Sequence, residues 1–204
     1  MRIWMSKSDL NKPDSRILGM IGLRKIMRNG AILAALATTT AITPAAAQDG
    51  GNLITGAQWV YFADTVMGGV SEGRASFSDT QDGQAIRLWG DVSTANNGGF
   101  IQVRADIRNI VPAGAQGIVL RVRGNNEGYV IHLRTRGSRL PWQYYQGSFT
   151  AGDTWQEVRI PFDAFKASGR MMRALRPQDL VTMGIVAYGR DYQADLYVSE
   201  ARFY

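Results

Sequence analysis

The chain has 204 residues, no cysteine and one histidine, with 23 Lys and Arg against 17 Asp and Glu. That length suits one domain or at most two, and the composition excludes thiol catalysis, Cys-ligated metal and a multi-histidine metal centre. The net charge of +6 is unevenly placed, since residues 1–47 hold seven basic and two acidic residues while the remainder hold sixteen and fifteen. The part beyond residue 47 is nearly neutral and gives no global argument for a nucleic-acid partner.

Residues 1–47 read as a signal peptide with a long leader. Arg24, Lys25 and Arg28 precede the small, apolar stretch Ala31 to Ala47, and Gln48-Asp49-Gly50-Gly51 follows it. A basic flank, a short apolar core and an Ala-x-Ala end are the three parts of a secretory signal, with Ala45 and Ala47 at the small-residue positions. Met20 or Met27 would serve as a start, because Met27-Arg28-Asn29-Gly30 and the apolar run already suffice. The stretch is too short and too rich in Ala and Thr for a bilayer span, which takes about 20 mostly apolar residues. Cleavage after Ala47 leaves 157 residues. They are expected in the periplasm or otherwise outside the cytoplasm, with no transmembrane span.

From residue 52 onward, short alternating runs are separated by Gly, Asn and Asp. Strands are predicted at Trp59 to Phe62, Gly73 to Ser78 and, after the Gln81-Asp82-Gly83 turn, Ala85 to Trp89. Phe100 to Arg108 alternates clearly, with Ile101, Val103, Ala105 and Ile107 on one face and Gln102, Arg104, Asp106 and Arg108 on the other. Gly117 to Arg123 and Tyr129 to Arg136 flank the tight Gly124–Gly128 connection and predict an antiparallel hairpin. Trp142 to Phe149 and Thr154 to Ile160 follow, and Pro161 ends the second because proline cannot donate to a ladder. Phe162 to Leu175 is the least strand-like part and leaves room for a short helical turn. Thr182 to Tyr188 and Asp195 to Phe203 close the chain, with an irregularity near Ser199-Glu200. Roughly eight to ten strands and no long helix predict a sandwich or barrel in one domain over 52–204.

No catalytic motif emerges. His132 stands alone in an alternating strand, and neither Ser71 nor Ser138 sits in a nucleophile elbow. Met67-Gly68-Gly69 and Gly98-Gly99 lack the pattern of a phosphate loop and serve turns and close backbone approach. Asp64 and Ser71 bracket the first pair and can fix a loop through backbone N–H groups. No acidic loop dense enough to demand calcium is present, so neither metal nor cofactor is expected. The binding candidate is a face. Arg121 and Arg123 on one strand of the predicted hairpin, His132 and Arg134 on the next, and Trp142 and Tyr144 nearby would set basic groups beside aromatic rings.

Trp59, then Asp64-Thr65-Val66-Met67-Gly68-Gly69-Val70-Ser71-Glu72-Gly73, resembles the opening of the NADH:ubiquinone oxidoreductase complex I intermediate-associated protein 30 family. The similarity continues through Gly98-Gly99-Phe100, Gly117 to Gly124 and Tyr129. It resumes with Tyr145 and Phe149, then Trp155-Gln156-Glu157-Val158-Arg159-Ile160-Pro161-Phe162 and Phe165, and closes on Gly184 and the last strand. Asn125-Asn126 stands where relatives often carry Asp-Gly. The resemblance implies an all-β, galactose-binding-domain-like jelly-roll sandwich and a non-catalytic binding module. It further implies a protein partner, for which the module is an assembly or chaperone-like factor. Related sandwiches bind carbohydrates, so the alternative is an extracytoplasmic carbohydrate-binding module with a glycan partner.

Overall fold

The computed structural model describes residues 51–169 and 174–204; the expected signal segment and its cleavage site lie outside the described residues. A one-turn helix, α1 (Leu53–Gly56), opens the description, and the Asn52 side chain caps it by accepting from the Ile54 N–H at 3.0 Å. Eleven strands follow: β1 (Trp59–Ala63), β2 (Glu72–Thr80), β3 (Gly83–Val92), β4 (Phe100–Asp106), β5 (Gly117–Arg123), β6 (Glu127–Thr135), β7 (Tyr145–Ala151), β8 (Gln156–Pro161), β9 (Lys166–Ala167), β10 (Leu180–Tyr188) and β11 (Tyr192–Phe203). They form a six-stranded sheet in the order β1-β4-β10-β6-β7-β9 and a five-stranded sheet in the order β2-β3-β11-β5-β8. Every paired neighbour is antiparallel. The fold is an all-β, two-sheet jelly-roll sandwich.

Alternation builds the core. Ile101, Val103 and Ala105 of β4, Met183 and Ile185 of β10, and Ile131 and Leu133 of β6 are buried on the inner face of the larger sheet. Ile118, Leu120 and Val122 of β5, Leu196 and Val198 of β11, and Ile86 and Leu88 of β3 meet them from the smaller one. The irregularity expected near Ser199 is a shift in register between β11 and β5 from Val198 to Glu200. Asn52 braces it, donating to the Ser199 carbonyl at 2.8 Å and accepting from the Ala201 N–H at 3.1 Å.

One expectation is corrected. β5 and β6 are not a hairpin, because β5 lies between β11 and β8 while β6 lies between β10 and β7 in the other sheet. The Gly124–Asn126 connection is an arch from one sheet to the other, tied to the end of β7 by Gly124 N–H to Gly152 O and Asn126 N–H to Ala151 O at 2.6 and 2.8 Å. The inner residues of the two strands therefore face each other across the core instead of lying side by side. Smaller differences fall at ends: the aromatic strand starts at Tyr145, leaving Trp142 in the preceding turn, and Phe162–Ala164 forms a single 3-10 turn.

Candidate functional site

A groove of about 420 Å³ runs across the outer face of the six-stranded sheet, within the size range of small-ligand sites. Its floor follows from register. Arg104 of β4 stands opposite Gly184 of β10, which stands opposite His132 of β6, and His132 is opposite Gln146 of β7. Gly184 puts no side chain between Arg104 and His132, so the sheet surface dips there; a Cβ at that position would meet Gln102 Oε1 at 3.0 Å. Thr182 lies one outward position along β10, opposite Arg134. Its Oγ1 is the only buried side-chain polar atom among the described residues without a hydrogen-bond partner.

Aromatic rings wall the groove. The His132 imidazole stacks on Tyr144 with centroids 3.9 Å apart and meets Tyr188 edge-on at 5.3 Å. The Tyr144 and Tyr188 hydroxyls are 3.2 Å apart and hydrogen-bonded. Trp142, 57% exposed, stands at the rim. Its loop is held from two sides: Ser168 Oγ donates to the Trp142 carbonyl at 2.6 Å, and Arg134 donates to the carbonyls of Ser138 and Leu140, each at 3.1 Å. At the other end Phe62 and Phe100 meet edge to face at 6.0 Å, and the Arg104 guanidinium lies 4.5 Å from the Phe62 ring centroid. Val66 and Met67 form the lip beside them.

Burial pushes the His132 imidazole down to about 4, against the raising effect of its 3.2 Å contact with Gln146 Oε1. Burial, and then the hydrogen bond and charge of Tyr188, push the Tyr144 phenol up. The imidazole is thus neutral at neutral pH and serves as a stacking surface. The folded state refuses a proton that the unfolded chain takes up below about pH 6.5, so stability is full above that value and falls as the pH drops toward 4. Urea unfolding at about pH 7 and about pH 4.5 should show a His132-dependent loss of up to about 3 kcal/mol. The His132→Gln protein should be flatter across that window; an equal loss in the variant would remove His132 as the cause.

A second cluster fixes the lip. Asp64 is fully buried at the start of the 3-10 turn Asp64–Met67. Its carboxylate accepts from the Ser71 N–H at 3.0 Å, the Ser71 hydroxyl at 2.5 Å, the Gly99 N–H at 2.5 Å and the Phe100 N–H at 3.1 Å. Burial alone would raise this acid, but the bonds from Ser71, Gly99 and Phe100 outweigh it and hold the carboxyl below its usual range. Gly69 and Gly98 carry no side chain because the carboxyl occupies the space: a Cβ on either would stand 2.3 or 2.4 Å from an Asp64 atom. Ser71 extends the network to β3, its hydroxyl accepting from the Ser93 N–H at 3.0 Å. The knot thus joins the turn after β1, the end of β3 and the start of β4.

The structure brings together four of the six residues expected to bind. His132, Arg134, Trp142 and Tyr144 line the groove. Arg121 and Arg123 do not, because the arch puts β5 in the opposite sheet. Arg121 pairs with Asp82 at 2.8 Å, and Arg123 lies over Trp155 and Tyr197 with its guanidinium 5.4 and 4.7 Å from their centroids. Of the motif residues, Trp59 donates from its indole to the Leu53 carbonyl at 2.9 Å, Pro161 pairs with Gly117 on the edge strand β8, and Phe162 packs against Phe203. Met67 and Phe100 belong to the groove as well. Sequence reasoning missed Gln102, Arg104, Thr182, Gly184 and Tyr188 as site residues. Alternation put Gln102 and Arg104 on an outward face, but only the strand order shows that this face abuts the one carrying His132.

Among the described residues no three His, Asp or Glu side chains cluster as metal ligands. His132 is held by Gln146 instead of an acid or a serine, so the groove holds no nucleophile–base pair of the triad kind. What it offers is flat rings beside a few fixed donors, an arrangement for binding.

No curated protein matches the chain. Among solved structures, the family 11 carbohydrate-binding module of cellulosomal cellulase Lic26A-Cel5E from Clostridium thermocellum superposes with a TM-score of 0.59 at 12% identity, covering 71% of this chain and 86% of that one. A family 11 carbohydrate-binding module from Clostridium thermocellum in complex with a beta-1,3-1,4-mixed-linked tetrasaccharide gives 0.58 at 12% identity over 71% and 87%. The family 30 carbohydrate-binding module of cellulosomal cellulase Cel9D-Cel44B from Clostridium thermocellum gives 0.52 at 11% identity over 72% and 90%. At such identities the likeness is one of fold. Residues 51–197 match the family model of complex I intermediate-associated protein 30. Matched over most of its length, the chain belongs to the complex I intermediate-associated protein 30 family.

Proposed function

We propose that this protein is a non-catalytic carbohydrate-binding module that uses the groove over β4, β10 and β6. The observation that carries the reading is the groove itself: Trp142, Tyr144 and Tyr188 beside Gln102, Arg104 and Thr182 on one concave face. Sugar rings stack their C–H faces on aromatic rings while fixed polar groups select the hydroxyls. The jelly-roll neighbours that are carbohydrate-binding modules support the reading. Affinity electrophoresis through gels of soluble polysaccharides, followed by titration with oligosaccharides, tests it. At least one glycan should retard the protein, and Trp142→Ala should weaken that binding by roughly tenfold or more. No retardation or heat by any glycan at millimolar concentration refutes the proposal.

A protein-binding assembly factor is the second reading. It is favoured by family membership and by the exposed apolar side chains Val66, Met67 and Val70 at the lip. Localisation separates the two. The carbohydrate reading takes residues 1–47 as a cleaved export signal, so the protein recovered from fractionated cells should begin at Gln48 outside the cytoplasm. A full-length cytoplasmic protein would return the assembly factor to first place.

A further inference from the structure

We propose that the groove is built for an acidic oligosaccharide, with a sugar-borne carboxylate held between Arg104 and Arg134 across β10. This rests on the carbohydrate reading and narrows it to a ligand class. Two guanidinium groups line the groove, and no Asp or Glu does. Several arginines elsewhere on the surface face acids: Arg87 with Asp195 at 2.9 Å, Arg121 with Asp82 at 2.8 Å and Arg202 with Glu200 at 2.6 Å. Arg104 has no such partner among the described residues; it rests against the Phe62 ring and makes no hydrogen bond there. Arg134 donates only to main-chain carbonyls, those of Ser138, Leu140 and Pro141. Asp106, one outward position along β4 from Arg104, is engaged by Arg108 at 2.9 Å.

The two cations lie on β4 and β6, with β10 between them and two residues apart in register, so their backbones stand about 12 Å apart on the diagonal. Gly184 and Thr182 are the small residues in that gap. Like charges facing one low-dielectric trough raise each other's free energy, and an anion between them relieves it. Burial and then the Arg104 charge already hold the Arg134 guanidinium below its ordinary value, which places the two within electrostatic reach. A guanidinium matches a planar carboxylate through paired parallel hydrogen bonds. The rings of His132, Tyr144 and Tyr188 flank the same trough and offer the sugar its apolar contact.

Calorimetric titration with tetrasaccharides of galacturonate, mannuronate, guluronate and glucuronate, each beside its carboxyl-reduced counterpart and a sulfated galactan tetrasaccharide, tests this. At least one uronate should bind about tenfold or more tighter than its reduced partner. That preference should shrink several-fold from about 50 to about 500 mM salt. Arg104→Gln should collapse the ratio of acidic to reduced affinity, and Arg104→Lys, keeping the charge without the fork, should retain part of it; circular dichroism and melting check that both variants fold. Should Arg104→Gln fail to fold, the ratio for the unchanged protein and its salt dependence still decide. Reduced sugars binding as tightly as the uronates, or the sulfated sugar alone binding, would overturn the inference and leave the carbohydrate reading standing. Binding of none of the sugars would overturn both.

Discussion

Replacing Asp64 by alanine should cost about 3–5 kcal/mol of stability, because three main-chain N–H groups and a buried hydroxyl lose one shared acceptor. For a domain of this size that lowers the melting temperature by roughly 10 °C. Asparagine should recover only part of the loss. One of its two polar atoms is an NH₂ that would face the donors on Gly99, Phe100 or Ser71, so about 2–3 kcal/mol should still be missing. Thermal and urea unfolding of the two variants measure both figures. A change below about 1 kcal/mol for alanine would show that water satisfies these donors and that the knot is not a source of stability. The same carboxylate sets an acid limit. Its folded value is depressed, so its contribution is fully present above the ordinary carboxylate range near pH 4 and is lost as the pH falls through the lower folded value. His132 acts earlier, between about pH 6.5 and 4, so the two titrations separate along one acid-unfolding curve.

Filling the trough should abolish binding without unfolding the protein. Gly184→Leu puts a branched side chain between Arg104 and His132, where the outer face has no other occupant. The first added carbon is tight only against the end of the flexible Gln102 side chain, at 3.0 Å, and makes ordinary contact with Val186 Cγ2 at 3.6 Å and the Val103 carbonyl at 3.7 Å. A strand interior also prefers a side chain to none by about 0.5–1 kcal/mol. The variant should therefore melt within a few degrees of the parent while its affinity for the oligosaccharide that the parent binds falls roughly 100-fold, a loss of about 2.7 kcal/mol. Gly184→Ala should sit between them. Undiminished sugar binding by a folded Gly184→Leu protein would move the binding site off this groove.

The strands were legible because period-2 alternation is a local property, plain in Ile101-Val103-Ala105 and Ile118-Leu120-Val122. Sheet membership was not. Gly124-Asn125-Asn126 fits a hairpin and an arch equally well as turn chemistry, and only the competition of β11, β8, β10 and β7 for partners decides between them. That one ambiguity divided the expected site. It moved Arg121 and Arg123 to the opposite sheet and brought in Arg104 and Tyr188, which lie 28 and 56 positions in sequence from His132. The Asp64 cluster was easier to read, because an acid, a serine and paired glycines together signal a bonded loop. What the residues alone did not show is that one glycine of each pair, Gly69 and Gly98, leaves the space that a single carboxyl group fills.

The order of strands also dictates when the protein can acquire its shape. β10 sits inside the six-stranded sheet and β11 at the centre of the five-stranded one, yet they are the last two strands of the sequence. While the ribosome is still making residues 180–204, β4 and β6 lack β10 between them and β3 and β5 lack β11, so neither layer is continuous. Closure waits on contacts between segments far apart in the chain, which form slowly. A nascent chain in this condition cannot complete either sheet before both β10 and β11 have been made.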